Sequence, residues 1–458
     1  MAIDDSISAR ITSSCPQTTA EILKAAWNHD VAQVSKLLDE PGKASLQDPL
    51  TGETPLHAAV RSCGPAGSSS SPEDESALEQ AKATVSELLL WGGIWNDVDN
   101  HNETPGCLAH RLGQIALYNL FVEAGVRAEM LFGVLDGYEA LSSGSEADDE
   151  DMAEADEPAH VGVDIGGMTA ELEDGADAPD LVAANQLAAD FVAMDEEMEV
   201  QEQPQEVQEA SFVPPSSGAD GEVKSERYLQ SKLTYSDGKL VDDDGNGVMM
   251  AWETDIMRRS VDVLVPENAP GKRILNIGFG MGIIDSMFAE TKPARHHVIE
   301  AHEEVLAHLE EPDSKFGTKW EASGPEEGAY KIHQGRWQDV VPTLLEKGEV
   351  YDAVYFDTFG EDYSQLKMFF TEYIPGLLES DGVFGFFNGL GADRPICYDV
   401  YTRVVEMHLS DAGMDVEWKE IDVDLKGLEE AGKGEWEGVK RRYWTLDKYR
   451  LPVCTFLG

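Results

Sequence analysis

Between residues 136 and 223 the chain has no lysine and no arginine, and acidic runs such as SEADDEDMAEADE and MDEEMEVQEQ crowd it. A stretch of this kind cannot bury enough apolar surface to offset the entropy of ordering it, so a mostly disordered acidic linker is expected there. The chain is thereby divided into two regions able to build cores of their own, 18–135 and 224–458. Within the linker, LVAANQLAADFVAM at 181–194 has helical apolar spacing and is a candidate for docking. A solvated spacer is the simpler reading of the rest, and an attractor of basic partners the functional one.

The acid excess extends to the whole chain, with 88 acidic against 34 basic residues and a formal net charge of -54. Nucleic acid is an unfavourable partner, since binding a phosphate backbone requires a basic face. A basic substrate would be drawn in by the same field. The start MAIDDSISAR lacks the charged-then-apolar pattern of a secretory signal, and no run approaches the roughly 18 to 20 apolar residues of a membrane span. Cys15, Cys63, Cys107, Cys397 and Cys454 are scattered and odd in number, which predicts reduced thiols in the cytoplasm or nucleus and neither a disulfide framework nor a zinc site.

The region 18–135 reads as helical. Ile22, Leu23, Ala26 and Trp27 form one apolar stripe, and Val31, Val34, Leu37 and Leu38 a second. Thr54, Pro55, Leu56, His57, Ala58 and Ala59 then match the TPLHxA signature that opens an ankyrin repeat, with threonine as cap and proline at the first helical position. A weaker echo follows at Thr104 and Pro105, the extra spacing matching a Gly/Ser/Pro-rich insertion at 64–72. Two or three ankyrin-like repeats are expected, a fold that binds partners, with a generic helical bundle as the alternative.

From Lys224 onward, apolar strand-like segments alternate with helical ones: RILNIGF, RHHVIEA, YDAVYFDTF and GVFGFFNGL, then DVEWKEIDVD and YRLPVCTFL. The pattern predicts an α/β fold, a mostly parallel doubly wound sheet closed by a C-terminal antiparallel hairpin, as in the Rossmann-like methyltransferases of class I. The first strand runs into Gly278, Phe279, Gly280, Met281 and Gly282, and the next ends in Glu300, where a carboxylate can accept both hydrogen bonds of a ribose diol. Ile283 stands where a dinucleotide motif has its third glycine, which favours a single-nucleoside ligand. His296 and His297 occupy consecutive strand positions facing opposite ways, expected as one surface and one core histidine, and no metal site is expected.

Ala251, Trp252, Glu253, Thr254 and Met257, followed in order by ILNIGFGMGI, VIEAHEEV, GRWQDV and YFDTF, resemble guanidinoacetate methyltransferases over the carboxy-terminal half. With ankyrin-like repeats in front, the chain more closely resembles the family of fungal protein arginine methyltransferases that modify the delta nitrogen. The linker is no part of the match, and the repeats match more loosely. The resemblance implies S-adenosylmethionine as cofactor. Phe279, Gly280, Met281, Gly282, Ile283 and Ile284 would wrap its methionine and ribose portion, and Glu300, Ala301 and His302 would hold the ribose. Arg336 and Trp337 would flank the adenine, and Tyr228, Met249 and Met257 would close over the sulfonium end, with Asp357 also in the site. Asn276 and Arg336 depart from the small-molecule enzymes, an acid and an apolar residue being expected at those places, and this puts a small-molecule substrate in doubt.

Glu253 and Asp357 are the candidate acceptor residues. A guanidinium offers a planar fork of donors that suits carboxylates, and its nitrogens share their lone pairs until acids localise the charge. Trp252, Phe356, Phe359 and Tyr363 lie near them in sequence and either shield the site or belong to the core. The expected activity is methylation of arginine in a basic, for example ribosomal, protein docked by the repeats, in cytoplasm and nucleus. The alternatives are a small-molecule guanidino methyltransferase and a cofactor-binding ankyrin scaffold without catalysis.

Overall fold

A computed structural model of the chain describes residues 3–67, 72–142, 225–312, 314–425, 433–440 and 442–458. The expected linker from residue 143 on, with its docking candidate at 181–194, lies outside the described residues. Described residues up to Glu139 and from Ser225 onward form one compact unit.

The amino-terminal region is built from α1 (Gln17–Trp27), α2 (Val31–Leu37), α3 (Pro55–Arg61), α4 (Pro72–Leu90), α5 (Pro105–Arg111) and α6 (Ile115–Ser142), the last running past the expected boundary at 135. Local chemistry sets its starts. Thr54 accepts from the backbone N–H of His57 at 3.2 Å while His57 Nδ1 accepts from the Thr54 N–H at 3.4 Å, a reciprocal cap on α3. Thr104 caps α5 through the N–H of Cys107 at 3.0 Å. His57 Nε2 also reaches the carbonyl of Glu103 at 2.9 Å, so one side chain ties the two Thr-Pro turns together. Beneath these turns Arg10 and Arg61 meet Glu53 and Asp99 in a cluster whose side chains are at most 3% exposed.

The carboxy-terminal region opens with a small antiparallel sheet, β1 (Thr234–Ser236), β2 (Lys239–Val241) and β3 (Gly247–Met250). Its first turn places Asp237 and Gly238 at positive φ, the backbone a tight hairpin requires. The main sheet holds β4 (Arg273–Ile277), β5 (Arg295–Glu300), β6 (Tyr330–Gln334), β7 (Tyr351–Phe356), β8 (Leu378–Phe386), β9 (Met414–Asp422) and β10 (Lys448–Phe456), in the order β6-β5-β4-β7-β8-β10-β9. The five strands β6 to β8 run parallel, and β10 lies antiparallel to both β8 and β9. This is the class I methyltransferase arrangement expected from the strand pattern. Neither β6 nor the small sheet stood out in the sequence: both are short, and their apolar residues are few.

Alternation along the strands feeds two cores. Leu275, Ile277, Val354 and Phe356 pack on one face, while Ile274, Ala353 and Tyr355 meet α8 (Thr254–Leu264) and α9 (Ile283–Glu290) on the other. A strand covered on both faces has no surface side, and this corrects the expectation for the histidine pair. His296 and His297 are both buried, the first bonded to Asp285 at 2.9 Å and the second to the Tyr351 hydroxyl at 2.7 Å.

One later helix serves both regions. Of α11 (Pro395–Asp411), with α10 (Trp337–Glu346) before it, Ile396, Val400 and Val404 belong to the core of the amino-terminal helices, whereas Val405 and Leu409 pack on the main sheet. Contact is close enough that a Cβ on Gly125 would come within 2.6 Å of Val400. Tyr401 donates to Glu129 at 3.2 Å, and Arg394 to Asn102 at 3.2 Å, across the same boundary.

Candidate active site

A cleft of about 230 Å³ opens at the carboxyl ends of β4, β5 and β7, walled by β3 and by the short helix α7, Ser225–Leu229, with which the described carboxy-terminal residues begin. Open α/β sheets bind ligands at this edge because diverging strand ends leave a crevice there. The strand ends are stitched together by main-chain bonds, Asp357 N to Ile277 O at 2.8 Å and Gly278 N to Ile299 O at 2.9 Å. Gly278 has φ +90°, and a Cβ there would sit 1.9 Å from the carbonyl oxygen of Asp357. The first glycine of the motif is thus required by the neighbouring strand end itself.

Glu300 is 6% exposed and lines the cleft. It accepts from the backbone N–H of Phe279 at 3.0 Å and of His302 at 2.7 Å. Burial pushes its carboxyl above the ordinary range, with the N–H groups pulling against that rise. The N–H groups of Gly280 and Ala301 act on it as well, so Glu300 organises the glycine loop at the cleft.

Glu253 and Asp357 come to the same cleft from different elements, a 3₁₀ turn after β3 and the end of β7. Glu253 is 4% exposed and accepts a hydrogen bond from the Tyr443 hydroxyl. Burial, and then repulsion from Asp357, push its carboxyl up to about 8. Burial and then Asp285 push Asp357 up to about 7. Asp357 Oδ2 is buried with no hydrogen-bond partner among the described residues. No lysine or arginine among them acts on either carboxyl. Glu253 is raised by burial and by Asp357, and Asp357 by burial and by Asp285, a pair of penalties that a cationic ligand would relieve.

Of the other residues anticipated, Tyr228, Met249, Gly280, Ala301, Arg336 and Trp337 line the cleft. Arg336 is exposed, and Trp337 is 3% exposed, its indole N–H directed to Glu361 at 3.0 Å. The remaining ones stand behind the wall. Met257 and Ile284 are core residues, with Ile283 partly buried beside them. Phe279 packs edge-on to Phe316 at 5.2 Å and lies over Gly282, and the Met281 N–H points at Met249 Sδ at 3.2 Å. His302 holds the Tyr228 carbonyl at 3.0 Å and its ring at 4.7 Å, so it acts on the wall through Tyr228. Among the aromatics, Phe359 lines the cleft, Trp252 packs against Tyr443 and Trp444, and Phe356 is core. Tyr363 turns away and bonds His408 at 2.7 Å.

Several lining residues carry no signal in the sequence. Tyr443 is distant from every motif, Phe387 stands in the strand-like segment GVFGFFNGL with nothing to single it out, and Glu361 and Gln338 are ordinary polar residues beside recognised ones. Glu361 gathers Trp337, Gln338 at 2.9 Å and Thr358 at 2.7 Å, bracing the wall opposite α7.

Residues 219–411 match the family model described as guanidinoacetate N-methyltransferase. The chain is 63% identical to protein arginine N-methyltransferase 2 of Neurospora crassa over 100% of both chains. It is 59% identical to protein arginine N-methyltransferase 2 of Gibberella zeae, over 97% of this chain and 94% of that one. Among solved structures it is similar to an O-methyltransferase, TomG from Streptomyces achromogenes, in complex with SAM, with TM-score 0.30, 17% identity, and coverage of 46% of this chain and 82% of that one.

Proposed function

The chain belongs to the family named protein arginine N-methyltransferase 2, and from that premise we propose that it transfers one methyl group from S-adenosylmethionine to the internal, delta nitrogen of an arginine in a basic protein. The observation that carries the reading is the pair Glu253, buried, and Asp357, half-buried with its Oδ2 covered, which line one cleft with no lysine or arginine among the described residues acting on either. An arginine guanidinium is always protonated and presents two terminal nitrogens at one end of its plane. If each acid takes one terminal nitrogen, positive charge is drawn to that end and the internal nitrogen becomes the best nucleophile. That nitrogen carries a single hydrogen, so it accepts a single methyl.

The residues of the cleft fit the cofactor: the close-packed Gly278 turn, the Glu300 carboxylate lining the cleft, and the walls from Tyr228, Met249, Arg336 and Trp337. S-adenosylmethionine supplies an electrophilic methyl on sulfur. With the methyl donor bound, Asp357 would take the proton released by the attacking nitrogen, its Oδ2 being without another hydrogen-bond partner among the described residues. The acids contribute chiefly by orientation, which is worth several kcal/mol of barrier, at best on the order of 7 to 11. A protein arginine is favoured over a guanidino acid because Arg336 is the single cation among the described lining residues, set at the turn into α10. The paired Thr-Pro turns support reading 18–135 as ankyrin-like repeats that dock the substrate, with ribosomal proteins the basic class that fits, in cytoplasm and nucleus.

The test is the double variant Glu253→Gln, Asp357→Asn. Methyl transfer to protein arginine is expected to vanish while cofactor affinity, by calorimetry, stays within a few-fold. Unchanged turnover would remove the mechanism. Fragmentation mass spectrometry of the product is expected to find one methyl on the internal nitrogen, and a methyl on a terminal nitrogen would overturn that assignment.

A further inference from the structure

Tyr443 belongs to the connection between β9 and β10, which no motif marks, yet it lines the cleft beside Glu253. Its hydroxyl donates to Glu253 Oε1. Trp436 meets its ring edge-on at 4.8 Å, Trp252 lies at 6.0 Å, and a Cβ on Gly247 of β3 would come 3.2 Å from it. The connection is itself fastened to the small sheet, by Lys440 N to Gly245 O at 2.9 Å and by Lys239 Nζ to Glu437 O at 2.9 Å. The phenol is therefore built into the site from two directions.

We propose that Tyr443 is a positioning residue for the acceptor: its hydroxyl occupies one oxygen of Glu253, fixes the plane of the carboxylate, and leaves the other oxygen to take an N–H of the guanidinium. The inference rests on the reading that Glu253 grips the acceptor. A carboxylate rotates easily about its last torsion, and a single strong donor removes that freedom. The choice of donor matters. A lysine or arginine here would hold Glu253 equally well but would neutralise it and repel the incoming guanidinium, whereas a phenol stabilises the ionised form without charge. The groups facing Glu253 are Asp357 on β7, Tyr355 of β7 and Tyr449 of β10, none of them a cation. The Tyr443 bond pulls the Glu253 carboxyl down against burial, and the phenol is itself held well above its ordinary range, so it remains a donor at any working pH.

Tyr443→Phe in the full chain tests this, with melting temperature and cofactor affinity as controls. The KM for a protein-arginine acceptor is expected to rise about tenfold, the usual scale for a hydrogen bond to a charged group, with cofactor affinity within twofold. The acid limb of the kcat/KM profile is expected to move up by about one pH unit, so that activity recovers in part at high pH. Glu253→Gln, Tyr443→Phe is expected to bind acceptor no more weakly than Glu253→Gln alone. An unmoved acid limb overturns the proposal, whether or not the melting temperature falls. If Glu253→Gln leaves acceptor affinity unchanged, the assignment of Glu253 fails; if it weakens the acceptor and Tyr443→Phe does not, only the role of Tyr443 fails.

Discussion

Two buried groups of acids sit in this molecule under opposite conditions. In the amino-terminal helices Glu53 and Asp99 face Arg10 and Arg61, with Arg61 Nε to Glu53 at 3.1 Å and Arg61 to Asp99 at 3.1 Å. Burial opposes ionisation of Asp99, yet His57, two backbone N–H groups and Arg10 hold its carboxyl below the ordinary range. In the cleft Glu253 is nearly as removed from water and Asp357 is half-buried with its Oδ2 covered, no lysine or arginine among the described residues acts on either, and both are held above that range. An acid buried with its counterion is part of the architecture. An acid buried without one keeps the full desolvation penalty on its charged form.

The largest expected effect comes from breaking the first group. Arg61→Met leaves Glu53 and Asp99 short of a partner, and a loss of about 3 to 5 kcal/mol in urea unfolding is expected. A loss below about 1 kcal/mol would mean that the cluster is screened and the contrast is not real. Next in size is the pH response of the cleft. Because the guanidinium stays charged, binding needs ionised acids, so kcat/KM for the acceptor is expected to rise with pH through about 7 and 8 and to level off above. A flat profile from pH 6 to 9 would show that neither acid titrates in the free enzyme.

The smallest effect is on stability, and its sign separates the two groups. Glu253 and Asp357 keep their protons in the folded chain at pH values where the unfolded chain has released them. Their contribution to stability therefore falls as pH rises from the ordinary carboxyl range toward about 8. Asp99 behaves oppositely: its contribution is present above the unfolded pKa and is lost as pH falls through the folded one. Glu253→Gln is accordingly expected to raise the melting temperature by a few degrees at pH 8 and to leave it unchanged near pH 4, as measured by calorimetry. A lower melting temperature at pH 8 would mean that the ionised carboxylate is better solvated than its burial implies.

Much of this was legible in short stretches of sequence. Strand periodicity located six of the seven strands of the main sheet, the glycine run and Glu300 marked one end of the cleft, and the Thr-Pro pairs marked two helix starts. These are local signals, in which a residue and its partner are separated by a few positions or one turn. The Asp237–Gly238 hairpin was also legible in principle, but the strands beside it are three residues long and gave no periodicity to count.

What the chain settles by itself is what short-range sterics and patterning control: caps, turns, strand faces, and the acids that end particular strands. Tertiary structure alone decided which of those acids have no lysine or arginine against them among the described residues. It brought Tyr443 to Glu253 across 190 residues, covered β5 on both faces so that two adjacent histidines are both buried, and made α11 a member of two cores. The physical reason is that the energy of a buried polar group depends on what lies across from it, and nothing in its own neighbourhood along the chain encodes that.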